Sequence, residues 1–194
     1  MKHKLMLISL PALALAACGS NETSNAAGAS NMAVPEAETM MGDNMAANMA
    51  DAPMAMSGQQ FADAAAASDA YEIESSKLAQ EKAESAAVKE FAATMVKDHT
   101  SSTAKLKDAA GKADPAITPN PALNAEQTAN LEALRGASGA AFDTLYKEQQ
   151  VAAHQKALAA LQGYAANGDV PSLKTFAGDT AKVVEGHLKH VSSM

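Results

Sequence analysis

Four side chains in this 194-residue chain combine metal-ligand chemistry with positions on helix interiors: Glu72, His99, His154 and His187. At about 100° per residue, Glu72 shares a narrow helical sector with Phe61, Ala65, Ser68 and Ala79. His99 falls among Val88, Phe91, Ala92, Met95, Leu106 and Ala110, and His187 among Leu173, Phe176, Thr180, Val183 and Val184. His154 lies on a more polar stripe with Asp143, Gln150, Leu158 and Leu161. One carboxylate and three imidazoles turned into an interior are costly unless something satisfies them. One divalent transition metal would do so, and a Glu/His set suits Zn, Cu or Fe better than Mg or Ca. A buried His–Glu hydrogen-bonded network with water satisfies the same groups without an ion.

Four helices must position these residues. Ser57 with Gln60 forms a capping box ahead of Phe61 and opens a first helix to about Glu84. Ser85 caps a second, which runs to about Ala110 and stops at Gly111. The stretch from Gly111 to Leu123 carries Pro115, Pro119 and Pro121 and cannot be helical throughout. Asn124 with Gln127 is a second capping box and opens one long helix to about Asn167. Asn167-Gly168-Asp169 is a turn, and Pro171 stands in the first turn of a last helix that runs nearly to the end. No segment alternates apolar and polar residues as a strand would. The fold class is therefore all-α: a four-helix bundle of two helical hairpins joined by a long connection. That connection, about 13 residues, spans roughly 43 Å when extended, just enough to cross a bundle whose 26-residue helix is about 39 Å long. Such a crossing gives the ferritin-like arrangement; a compact loop joining neighbouring ends is the alternative.

Counted from the turns, Glu72 stands about 12 residues before the first and His99 about 13 after it, while His154 stands about 13 before the second and His187 about 16 after it. Within each hairpin the two agree to within about 5 Å along the axis. Asp143, three turns from His154 or about 16 Å, is too far to share an ion and is left to a second polar layer or a lysine partner. His190, nearer the C-terminus, is expected to be exposed.

Cys18, the only cysteine, ends the run Leu15-Ala16-Ala17-Cys18. Met1-Lys2-His3-Lys4 is a basic start, and Leu5 to Ala17 is an apolar stretch of 13 residues. That is short of the roughly 20 residues a span requires but right for a secretory signal. The small residues before Cys18 resemble the lipobox of bacterial lipoprotein precursors, which implies cleavage after residue 17 and acylation of Cys18. The whole chain carries a formal charge of −7, and loss of Lys2 and Lys4 makes it −9. That balance argues against nucleic acid and against electrostatic docking on anionic lipid. Attachment to a membrane would come from the acyl chains, on the periplasmic side of the cell envelope; Gly19 after the cysteine favours the outer membrane. An envelope protein is the partner class that fits.

Residues 18–58 form a linker with five acids, two prolines, no lysine or arginine and no periodic apolar face. It reads as disordered, with a root-mean-square reach of roughly 35 Å. Seven methionines lie in it: Met32, Met40, Met41, Met45, Met49, Met54 and Met56. Thioethers select Cu(I), so the last six are an auxiliary soft-metal set, although the irregular spacing fits a plain tether as well. The folded part is residues 59–194.

Phe61 with Glu72 and Leu78-Ala79, Phe91-Ala92, Met95-Val96-x-Asp98-His99, Phe142-Asp143-x-x-Tyr146, Gln150 with His154, and His187-Leu188 together resemble the bacterial domain-of-unknown-function family 4142. The resemblance covers Gln59 to the C-terminus. It implies a ferritin-like four-helix fold and an envelope lipoprotein, and no activity. Di-iron ferritin-like sites use a Glu three residues before each ligating His. Here those positions are Val96, Val151 and Val184, which removes the bridging carboxylates and leaves a mononuclear, His-rich site. No Gly-x-Ser-x-Gly element or phosphate loop is present. Two classes of function remain: a non-catalytic interaction or stress-related lipoprotein, and a metal-binding protein using Glu72, His99, His154 and His187.

Overall fold

The structure is a computed structural model, and it describes residues 56–194. The signal segment, Cys18, most of the linker and Met40, Met41, Met45, Met49 and Met54 lie outside the described residues; Met56 is exposed. Five helices make up the described part: α1 (Gly58–Lys82), α2 (Ala86–Gly111), α3 (Ala125–Gly136), α4 (Gly139–Asn167) and α5 (Pro171–Ser192). No strand occurs among the described residues.

Local chemistry sets most helix ends. The Ser57 hydroxyl accepts from the Gln60 N–H while the Gln60 side chain accepts from the Ser57 N–H. Asn124 and Gln127 repeat the device at α3. Ser85 caps α2 through the Val88 N–H, and Pro171 occupies the start of α5, where no intrahelical donor is required.

One expected element is corrected. The long third helix from Asn124 to Asn167 is two helices, broken at Ala137-Ser138. Gly136 ends α3 and Gly139 opens α4 with φ +62°, in the left-handed region where a side chain is strained. A Cβ there would also lie 3.3 Å from the Glu84 carboxylate. The break lets α3 leave the axis of α4 and lie against α1 and α4, burying Leu131 and Leu134. The Lys82 ammonium secures its C-terminal end by donating to the carbonyls of Leu134 and Arg135.

Side-chain pairs give the topology. Tyr71 meets Gln149 and Ser76 meets Tyr146, so α1 and α4 are antiparallel. Asp98 meets His187 and Ser172 meets the Ala109 carbonyl, so α2 and α5 are antiparallel as well. With the tight α1–α2 and α4–α5 hairpins, α2 and α4 run the same way, and the chain between them crosses the length of the bundle as ferritin-like connectivity requires. The proline-containing segment does not make that crossing. It stays beside the start of α1, where Gln59 donates to the Thr118 carbonyl and the Asn120 N–H to Asp63, and α3 covers the remaining distance.

The core forms two apolar clusters. One, at the end where α1 begins, includes Phe61, Leu106, Leu161, Leu173 and Phe176. The other, at the opposite end, includes Val88, Phe91, Met95, Leu134, Phe142 and Tyr146. Val183, expected on the inner stripe of the last helix, is instead 47% exposed.

Candidate metal centre

Between the two clusters lies a buried polar layer: Asp69, Glu72, Ser75 and Ser76 from α1, His99 from α2, Gln149, Gln150 and His154 from α4, and His187 from α5. Three of the four sequence-selected residues converge. The ring centroids of His99, His154 and His187 are 5.6–5.9 Å apart, and one ring nitrogen from each lies within 4.8 Å of the others.

Each imidazole has its other nitrogen held from outside. His99 Nδ1 lies 2.8 Å from Asp69 Oδ1, His154 Nδ1 donates to the Gln150 carbonyl at 2.9 Å, and His187 Nε2 lies 3.0 Å from Asp98 Oδ2. A carbonyl or carboxylate oxygen only accepts, so these bonds place the proton on the outer nitrogen of each neutral ring and leave a lone pair on the inner one. The inner atoms are His99 Nε2, His154 Nε2 and His187 Nδ1, all buried without a hydrogen-bond partner among the described residues. Carboxylates or carbonyls behind ligand imidazoles are what orient such rings toward an ion and raise their basicity.

Glu72 is fully buried but stands outside this triangle. Its Oε2 accepts from Gln150 Nε2 at 2.7 Å, and its Oε1 is 3.9 Å from His154 Nδ1, the nitrogen already engaged with the Gln150 carbonyl. Desolvation pushes its carboxyl up to about 7, against the opposing influence of His99 and the Gln150 hydrogen bond. Asp143 belongs to neither set: its two oxygens accept from the Glu84 and Ser85 N–H groups and pin the α1–α2 turn. His190 is exposed, as expected, with its ring edge-on to Phe91.

Protonation differs sharply among the three histidines. Burial drives His154 down to about 3, and the nearby His99 adds to that, so it stays neutral throughout the physiological range. Burial also lowers His187, with the Asp98 hydrogen bond opposing it. Burial works against charge on His99 too, but the Asp69 hydrogen bond and the carboxylates of Glu72, Asp69 and Asp98 outweigh it and its pKa rises. His99 is therefore the ring for which protons compete hardest.

Sequence reasoning missed Asp69 and Asp98 as partners. Asp69 lies three residues before Glu72 and so on nearly the same face, a signal that pattern alone contained. Asp98 adjoins His99 and points about 100° away from it, toward α5, where only packing supplies its partner.

Comparison with known proteins bears on family and fold. Residues 43–194 match the family described as "Domain of unknown function (DUF4142)", and the chain belongs to it. No curated protein matches the chain. A solved structure titled "CopM in the Cu(II)-bound form" is similar at 19% identity with a TM-score of 0.61, covering 72% of this chain and 96% of that one. At that identity the likeness is one of fold.

Proposed function

We propose that this family member binds one transition-metal ion, copper foremost, through His99 Nε2, His154 Nε2 and His187 Nδ1. The observation that carries the reading is the convergence of three buried, lone-pair-bearing nitrogens whose rings are each held from behind by an oxygen. With Glu72 Oε1 and Gln150 Oε1, the layer holds five acceptors lacking a donor, and a cation satisfies acceptors where apolar packing cannot. A ligand set of imidazoles without thiolate suits Cu, Zn, Fe and Ni; the Cu(II)-bound state of the fold neighbour makes copper the first ion to test. Glu72, behind His154, serves as an outer group that tunes the site.

The same proposal places the bundle in the cell envelope, periplasmic side, outer membrane, carried on an acylated Cys18 by the methionine-containing tether. Met40, Met41, Met45, Met49, Met54 and Met56 are then auxiliary soft ligands in the half of the tether that adjoins α1. An envelope protein that delivers or receives the ion is the partner this role calls for, and the protein itself acts as a carrier rather than an enzyme.

The test uses the purified full-length chain and its His99→Ala and His154→Ala variants. Metal content and affinity for Cu(II), Cu(I) and Zn(II) are measured by mass spectrometry and competition titration. One tightly held ion per chain that both variants lose supports the reading. Metal uptake that neither substitution alters sinks it.

A further inference from the structure

The surroundings of the histidine triangle differ on its two faces. Toward the α1–α2 turn, Phe91, Met95 and Tyr146 are completely buried, and the Phe91 ring lies 6.4 Å from that of His154. Toward the start of α1, about one helical turn (5.4 Å) along, the four bundle helices present small side chains: Ala65 and Ser68, Ser102, Ala157, and Thr180. Their size leaves a cavity of about 70 Å³, which His99 and Asp69 also line. The exposed Ala64 belongs to its wall, so it reaches the protein surface. Close packing is the rule in protein interiors, and a gap of this size lined by His99, one of the three rings with an unpartnered buried nitrogen, calls for an explanation.

We propose that the cavity admits a small exogenous ligand, of two or three heavy atoms with one lone-pair donor atom, to the metal held by His99, His154 and His187. This rests on the metal-binding reading above. Three protein ligands leave a zinc or copper ion with at least one open coordination position, and Phe91, Met95 and Tyr146 fill the space on one side. The fourth ligand therefore comes from the side of Ala65 and Ala157. A cavity of about 70 Å³ has room for a few water-sized atoms, which suits azide or cyanide and is too small for nucleotides and peptides. The mostly apolar wall favours a compact ligand of low charge, and the hydroxyls of Ser68, Ser102 and Thr180 supply hydrogen bonds to its distal atom. A bundle built only to store the ion would gain by filling this space, since an empty volume forfeits dispersion contacts.

The probe is sodium azide, added to the Cu(II)-loaded full-length chain and followed by the azide-to-copper charge-transfer absorption. Ala65→Leu and Ala157→Leu fill the cavity from two different helices; circular dichroism melts confirm folding, and copper affinity is measured in parallel. The expected result is saturable azide binding to the wild type, at least 10-fold weaker in whichever variant folds, with copper affinity within about 3-fold. Copper bound by the three histidines without any azide complex overturns the cavity proposal and leaves the metal site standing. Azide binding that neither filling substitution weakens also overturns it, because the ligand then enters elsewhere. Absence of histidine-dependent copper overturns both readings together.

Discussion

At the two ends of the bundle, Phe61, Leu106, Leu173 and Phe176 on one side and Phe91, Met95, Phe142 and Tyr146 on the other pack as apolar clusters. The layer between them carries Asp69, Glu72, His99, Gln150, His154 and His187. In the clusters, stability comes from area removed from water, at roughly 25 cal/mol per Å², and no single contact is specific. In the layer each polar atom requires a partner, and the cost of one left without is about 1–3 kcal/mol. The ends hold the helices together; the middle fixes what they hold. Small alanine-rich contacts bring the helices close, and that proximity is what lets three imidazoles from three helices meet.

The contrast breaks most visibly at its apolar side. Phe142→Ala, at a fully buried ring stacked on Tyr146, is expected to lower stability by about 3–5 kcal/mol while leaving copper affinity within a few-fold, measured by urea unfolding and by competition titration. Loss of copper affinity in a variant that remains folded would show that the ends position the site more tightly than the geometry implies.

Next in size is the metal itself. Copper at about 100 times its dissociation constant adds roughly 2.7 kcal/mol to the folded state. At about 2–4 °C per kcal/mol for a chain of this size, chelation should lower the melting temperature by roughly 5–10 °C in the wild type and not at all in His154→Ala.

Asp69→Asn sharpens the distinction within the layer. It removes the carboxylate charge behind His99 while keeping an acceptor at the same place, and second-sphere changes of this kind reduce affinity by about 10–100-fold. Because the Asp69 hydrogen bond is the largest of the influences that raise the His99 pKa, the substitution should also move proton competition with the metal to lower pH. A titration of copper occupancy against pH reads both effects.

A separate expected effect is a pH slope in the metal-free protein. The folded-state pKa of Glu72 lies at about 7, above its ordinary 4.5, because burial disfavours the ion. The folded state thus holds a proton that the unfolded chain releases first. The Glu72 contribution is complete below pH 4.5 and is lost as pH rises through 7. Melting temperatures of the wild type should therefore fall relative to those of Glu72→Gln across that window. Parallel curves would show that Glu72 is already ionised at the lower end.

Much of this was legible before any coordinates. The Ser57–Gln60 and Asn124–Gln127 boxes are local and were read directly, because a cap depends on residues three apart. The inward phase of His99, His154 and His187 follows from helical periodicity, and counting outward from the tight turns sets heights within each hairpin; that the two hairpins bring the three rings to one place does not follow from either. Beyond Asp69, Asp98 and Val183, two further features escaped. The break at Ala137-Ser138 depends on Gly136 and Gly139 together with the need for α3 to ride on α1, and that need is tertiary. The position of Glu72 behind His154 escaped because angular phase says which way a side chain leaves its helix and not which of two close neighbours it meets.

The order of residues along this chain, by itself, determined the helices, their caps and the inward-facing ring on each of α2, α4 and α5, since backbone hydrogen bonding and a period near 3.6 are properties of short segments. Tertiary structure alone decided that the three free nitrogens come together, that Asp98 stands behind His187, and that a gap remains beside His99. Those outcomes depend on distances between helices, and such distances emerge only when every side chain along the contact has found its place.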